Sequence, residues 1–233
     1  MTRSLGITAA LADVPDSIAV GAAILTQLGD VWFLIALAVV LWILDRRWPV
    51  VRDRSDPVAI LALVIGAYGL TTILKAAFGL PRPPVAPVAG PDWLGSAGRA
   101  AIAWFAHADG PGFPSGHALG ATLVYGALAR RVTVGSARQR ATVAAILVGA
   151  IAATRLVIGV HYLVDVLAGI AIGGGVLVAV EAVRPGPLVL AVAATAVAGV
   201  AAVVTVDPRL AATTVLPIGA WALASRSDRS LAA

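Results

Sequence analysis

Five ionisable side chains interrupt otherwise apolar stretches of this chain, Lys75, His117, Arg155, His161 and Asp165, and a sixth, Arg82, lies just beyond one of them. A charge at membrane depth is costly and by default marks function. His161 and Asp165 stand at i and i+4, so on a helix they share a face. The carboxylate can then accept from one ring nitrogen while the other points outward, which suits a nucleophile or a general base. The same pair is equally the pattern of a buried structural histidine satisfied by a partner. Pro114-Ser115-Gly116-His117 opens an apolar run. There Ser115 is a natural N-cap, Gly116 lets backbone approach a ligand, and the free amides and helix dipole favour an anion. Lys75 and Arg82 are seven residues apart, with Gly79 and Pro81 between them, and converge if the chain turns there. Taken singly, each reads as an interface anchor, and Arg155, six residues before His161, reads as a snorkelling arginine. Taken together, three cations, two histidines and one carboxylate describe an anion site with acid/base groups.

The elements that must position these groups are membrane helices. Of 233 residues 60% are apolar and 12% charged, about half the charged fraction of a soluble domain. So few charges could not cover a soluble surface. That excludes disorder, a coiled coil and a DNA-binding domain, despite 17 Lys+Arg against 12 Asp+Glu. The absence of cysteine removes disulfides, thiolate catalysis and cysteine metal sites. The N-terminus lacks the apolar core and small-residue cleavage site of a signal peptide.

Against a ruler of about 20 apolar residues per crossing, six spans are expected. They are span 1 from about 25 to 45, span 2 at 57–78, span 3 at 116–131, span 4 at 139–158, span 5 at 162–182 and span 6 at 187–206, with 210–224 a seventh candidate. The expected fold is a single all-α membrane domain over 1–233, with an interfacial helix at 14–24, an external loop and lid at 80–115, and additional C-terminal helices at 187–224. Within the lid, Leu94, Ala97, Ala101, Trp104 and Phe105 recur at helical spacing. His107 beside them is read as belonging to a membrane-surface helix rather than to catalysis. Asp30 and Glu181 lie near span ends and are read as capping or interfacial groups.

Arginine placement orients the bundle, since short cytoplasmic loops are enriched in Lys and Arg. Arg46, Arg47, Arg52 and Arg54 follow span 1, Arg130, Arg131, Arg138 and Arg140 follow span 3, and Arg184 follows span 5. Arg226 and Arg229 join them if 210–224 crosses, while Arg3, Arg99 and Arg209 fall on the opposite face. The N-terminus and the polar cluster are therefore expected outside. The basic balance then reflects topology and anionic headgroups, not nucleic acid. Sixteen of the seventeen cations are arginine, and the one lysine, Lys75, sits in the cluster.

Lys75-x6-Arg82-Pro83, then Pro114-Ser115-Gly116-His117, then Thr154-Arg155-x5-His161-x3-Asp165 resemble the three-part signature of the type 2 phosphatidic acid phosphatase superfamily, whose membrane members include phosphatidylglycerophosphatase B-like and undecaprenyl pyrophosphatase-like enzymes. The motifs occur in order and the resemblance covers about 25–183. The third departs at Thr154, where the family usually has serine. The resemblance implies an acid phosphatase/vanadium haloperoxidase-like helical core and a metal-independent phosphatase without a cofactor. His161 would attack phosphorus, held by Asp165, and form a phosphohistidine that water cleaves. His117 would protonate the leaving oxygen, and Lys75, Arg82, Ser115, Gly116 and Arg155 would bind the phosphoryl oxygens. From the residues alone the two histidine roles are exchangeable.

The expected substrate is a lipid phosphate monoester or isoprenoid diphosphate, met at the outer face of a prokaryotic plasma membrane. A lipid phosphotransferase using the same histidine is the alternative. A small transporter or channel is the reading from another class, but the cluster lies at one face and no inverted repeat is evident.

Overall fold

The structure, a computed structural model, describes residues 3, 6–11, 14–84, 88, 90–206 and 208–231. The side chains of Arg209, Arg226 and Arg229, counted above for orientation, lie outside the described set. Among the described residues every regular element is helical: α1 (Ile7–Ala10), α2 (Asp16–Leu25), α3 (Val31–Asp45), α4 (Asp56–Phe78), α5 (Gly95–Ala106), α6 (Gly116–Arg131), α7 (Ala137–Val157), α8 (Leu163–Val183), α9 (Pro187–Thr205), α10 (Pro208–Thr213) and α11 (Leu216–Leu231).

Local chemistry sets the helix ends close to where the apolar runs predict them. Pro57 opens α4, and Gly79, at φ +60°, closes it by donating its N–H to the Lys75 carbonyl at 2.9 Å. Ser136 and Gln139 form a capping box on α7, with bonds of 3.2 and 2.8 Å. Asp30 caps α3 by accepting from the Trp32 amide at 3.4 Å, as read from sequence.

Of the six or seven spans expected, length and apolar character identify four or five among the described residues. Four helices, α4, α7, α8 and α9, are long and apolar enough to cross a bilayer. A fifth arises if α2 and α3, bent by 51° at a break, count as one, so the segment read as a separate interfacial helix leads directly into the first span. The 16 residues of α6 rise about 24 Å at 1.5 Å per residue and run from the end that carries the ionisable cluster to the arginine-rich end. It lies among α4, α7 and α8, where Leu119, Leu123, Ala121, Val124 and Ala127 are all buried. The seventh candidate is broken between α10 and α11, which pack on α9.

Small residues bring these helices close, as expected where apolar burial no longer drives association. A Cβ on Gly169 of α8 would lie 2.6 Å from the Ser115 carbonyl oxygen, and one on Gly173 would lie 2.6 Å from that of Leu119. On the other side of α4, a Cβ on Gly69 would come within 3.0 Å of the Ala198 backbone in α9.

The two arginine-rich connections meet at one end of the bundle. The Arg52 amide donates to the Arg131 carbonyl and the Thr133 amide to that of Val50, each at 2.9 Å. Arg131 there bridges Asp56 at 3.1 Å and Glu181 at 2.9 Å, tying together the start of α4 and the ends of α6 and α8. At this end too, the Arg46 guanidinium lies 4.4 Å from the Trp42 ring centroid. The opposite end receives the last turns of α4 and α7 and the first turns of α6 and α8, which carry the ionisable cluster.

Candidate active site

His161 occupies the short connection between α7 and α8 and is 1% exposed. Arg82 Nη1 lies 3.1 Å from its Nε2. A guanidinium can only donate, so Nε2 accepts and the ring proton resides on Nδ1. Nδ1 is 3.5 Å from Asp165 Oδ2. Burial first, then the charges of Arg155, Arg82 and Lys75, hold the His161 pKa well below the usual imidazole value. The imidazole is therefore neutral at neutral pH, with the Nε2 lone pair directed at a cationic group.

Asp165 is fully buried in the first turn of α8 and serves several groups at once. Its Oδ2 accepts from the Tyr162 amide at 3.0 Å, which is a helix-capping bond, and faces His161. Its Oδ1 accepts from Arg3 Nη1 at 3.0 Å. Arg3 also donates through Nη2 to the Pro81 carbonyl and stands 4.9 Å over the Tyr162 ring. The structural and catalytic readings of the His–Asp spacing are thus compatible: capping fixes the carboxylate behind the histidine.

Arg82 is held by the connections that follow α5 and α7. Its Nε donates to the Gly110 carbonyl at 3.1 Å, Nη2 to that of Asp109 at 2.9 Å, and Nη1 to that of Val160 at 3.0 Å. A Cβ on Gly112 would meet Arg82 Cγ at 3.2 Å, so the loop passes close against the side chain. Lys75 lies within electrostatic range of Arg82, Arg155 and Asp165.

Arg155 corrects one reading of the sequence. Taken alone it resembles a snorkelling arginine, yet it is 2% exposed, with Nη1 donating to the buried Thr26 hydroxyl at 2.9 Å. Ser115 corrects another. It occupies the N-cap position of α6, but its hydroxyl makes no capping bond. Its amide instead donates to the Asp165 carbonyl at 2.9 Å, joining the starts of α6 and α8. Buried polar atoms of Thr71, Ser115, His117, Arg155 and His161 find no hydrogen-bond partner within the protein. Of these, the Thr71 and Ser115 hydroxyls and Arg155 Nε, with Lys75 and Arg82, make a place suited to a multiply charged, acceptor-rich group. Among the described residues no group of three or more His, Asp or Glu could hold a metal ion.

All eight residues singled out from the sequence as catalytic or phosphate-binding fall at this end of the bundle. Arg3, Thr26, Asp30 and Thr71 join them without having been anticipated there. His107 is apart from the cluster, paired with Asp109 at 2.7 Å where both are exposed. α5 is tied to the break between α2 and α3 by Gln27, whose Nε2 donates to the Phe105 carbonyl at 3.0 Å.

The PAP2 superfamily model matches residues 56–186, more than half of the chain and the whole of the three-motif region. The chain belongs to the PAP2 superfamily. It is accordingly a membrane-spanning member of a phosphatase superfamily. Among solved structures it is similar to a transmembrane PAP2-type phosphatidylglycerolphosphate phosphatase from Bacillus subtilis. That match has 22% identity and a TM-score of 0.58, covering 77% of this chain and 83% of the other. At that identity the likeness supports the fold. No curated protein matches the chain.

Proposed function

We propose that this PAP2 superfamily member hydrolyses a lipid phosphate monoester or isoprenoid diphosphate through a phosphohistidine on His161. The observation that carries the reading is the line Asp165, His161, Arg82: a buried carboxylate behind Nδ1 and a guanidinium in front of Nε2. A phosphoryl group bound by Arg82, Lys75, Arg155, the Ser115 hydroxyl and the Gly116 amide would bring phosphorus to Nε2. The P–N bond forms as the P–O bond to the leaving group breaks, and the imidazolium of His117 gives its proton to the leaving oxygen. Water then attacks phosphorus, neutral His117 takes its proton, and the P–N bond breaks to release phosphate. Three fixed cations spread over the phosphoryl oxygens supply the charge stabilisation that phosphoryl transfer demands. The same three would repel a divalent ion, so the reaction is read as metal-independent.

Because the arginine-rich connections mark the cytoplasmic end, the site is assigned to the extracytoplasmic face, with the N-terminus outside. Purified protein in detergent should release phosphate from lipid phosphates in the presence of EDTA, and vanadate should inhibit it. A panel of phosphatidic acid, phosphatidylglycerol phosphate and prenyl diphosphates would identify the preferred tail. No phosphate release from any of them, or release abolished by EDTA, would overturn the reading. Transfer to an added alcohol at the expense of phosphate would favour the phosphotransferase.

The electrostatics of His161 predict a pH profile. Only the neutral ring attacks, and its pKa is depressed, so the acid limb of kcat/KM should lie below the ordinary imidazole value of about 6.5. Arg82→Gln removes one of the depressing charges and should move that limb to higher pH. Substrate ionisation is common to both proteins, so the difference between the two profiles reports the histidine. An unmoved limb would show that a different group sets it.

A further inference from the structure

The bend between α2 and α3 is a 3-10 turn, Thr26–Gly29, ending at Asp30. It lies outside the residues matched by the superfamily model, yet successive residues of it reach the site. Thr26 accepts from Arg155 Nη1 at 2.9 Å, and the Leu28 carbonyl accepts from the Tyr125 hydroxyl of α6 at 2.7 Å. Gly29 is pressed so closely that a Cβ there would lie 2.6 Å from Ile151 Cγ2 and 3.4 Å from His117 Cδ2. This close seating brings Asp30 Oδ2 to 3.6 Å from His117 Nε2.

The charges around His117 make that carboxylate significant. Arg155, His161, Lys75 and Arg82 all act electrostatically on the ring. Asp165 is already engaged by Arg3, the Tyr162 amide and His161, and Asp109 in the neighbouring loop pairs with His107. A histidine among three fixed cations resists carrying the proton that a general acid must deliver. A carboxylate at ion-pair distance favours the protonated ring and fixes its orientation.

We propose that Asp30 is a positioning residue that favours the protonated ring of His117 and aims it at the leaving oxygen, giving the site a second histidine–carboxylate pair opposite His161–Asp165. Asp30 itself neither gains nor loses a proton. The proton passes from the His117 ring to the leaving oxygen in the first step and returns to it from water in the second. This inference rests on the phosphohistidine reading above, in which His117 is the acid.

Leaving-group dependence tests it. An alkoxide leaving a lipid phosphate needs a proton, whereas the p-nitrophenolate leaving p-nitrophenyl phosphate does not. The ratio of kcat/KM on the alkyl substrate to that on the aryl substrate therefore isolates the acid. His117→Ala should lower this ratio by about 100-fold or more, within the usual range for a lost general acid. Asp30→Asn should lower it by about tenfold or more, and Asp30→Glu should recover part of the loss. Asparagine is as good an N-cap as aspartate, so α3 keeps its start and the variant folds. If His117→Ala lowers the ratio but Asp30→Asn leaves it unchanged, or reduces both substrates equally, the role of Asp30 is overturned and the phosphohistidine reading stands. If His117→Ala itself leaves the ratio unchanged, His117 is not the acid, and both readings fall.

Discussion

Replacing His161 with glutamine is expected to lower turnover of a lipid phosphate by on the order of 10⁴-fold or more, the scale on which loss of a nucleophile is felt. Glutamine keeps similar length and a polar end, so the buried site beneath Arg82 remains occupied, but it offers no lone pair able to form a P–N bond. Residual activity would come only from water acting on phosphate held by Lys75, Arg82 and Arg155. The variant should still bind vanadate or phosphate, because those cations are untouched. Asp165→Asn should also slow turnover, by less, since the Tyr162 amide keeps a side-chain oxygen to bond while the negative charge behind Nδ1 is lost. Phosphate-release assays on matched, folded protein in detergent measure both. Near wild-type turnover in His161→Gln would remove that residue from the chemistry.

The second large effect is expected in the packing that carries the site. Gly169→Ala would gain about 1 kcal/mol in an isolated helix from propensity. Here the new methyl would sit 2.6 Å from the Ser115 carbonyl oxygen, 3.0 Å from Ala118 Cβ and 3.2 Å from the Leu119 amide nitrogen. Two of those atoms are backbone and cannot swing aside, so α8 must move away from α6. The net expectation is destabilisation by about 1–3 kcal/mol, the usual range for overpacking. Activity should fall further than stability alone explains, because the Ser115 amide is bonded to the Asp165 carbonyl across that contact. Gly175 lies two residues beyond Gly173 on the same helix, and a Cβ there would have nothing within 4 Å, so Gly175→Ala should be neutral or slightly stabilising. Thermal unfolding of the two variants in one detergent compares them. Equal stability would show that α6 and α8 are not in such close contact.

Much of this site is legible in the sequence because a charged group in an apolar run has few innocent explanations. Lys75, His117, Arg155, His161 and Asp165 stand out for that reason, and the alternation of span direction brings them to one face. The helix ends are legible too, where Gly79, Pro57 and Ser136 punctuate the runs. Other features are hidden for definite reasons. Asp30 does cap α3, so its position is fully explained before its approach to His117 is considered. Thr26 is an ordinary helix-end threonine until a bend, marked by no proline, turns it toward Arg155. Arg3 is 162 residues from Asp165 and looks like any terminal cation. Apolar patterning also cannot separate a helix facing lipid from one buried among other helices, as α6 is.

The central claim is that phosphorus becomes bonded to His161. The most direct measurement is rapid mixing of the protein with a ³²P-labelled lipid phosphate, followed by quenching in alkaline detergent. Transient label is expected on the protein, stable to alkali, lost in acid, and absent from His161→Gln. Label that survives in His161→Gln, or that maps to another residue, would contradict it.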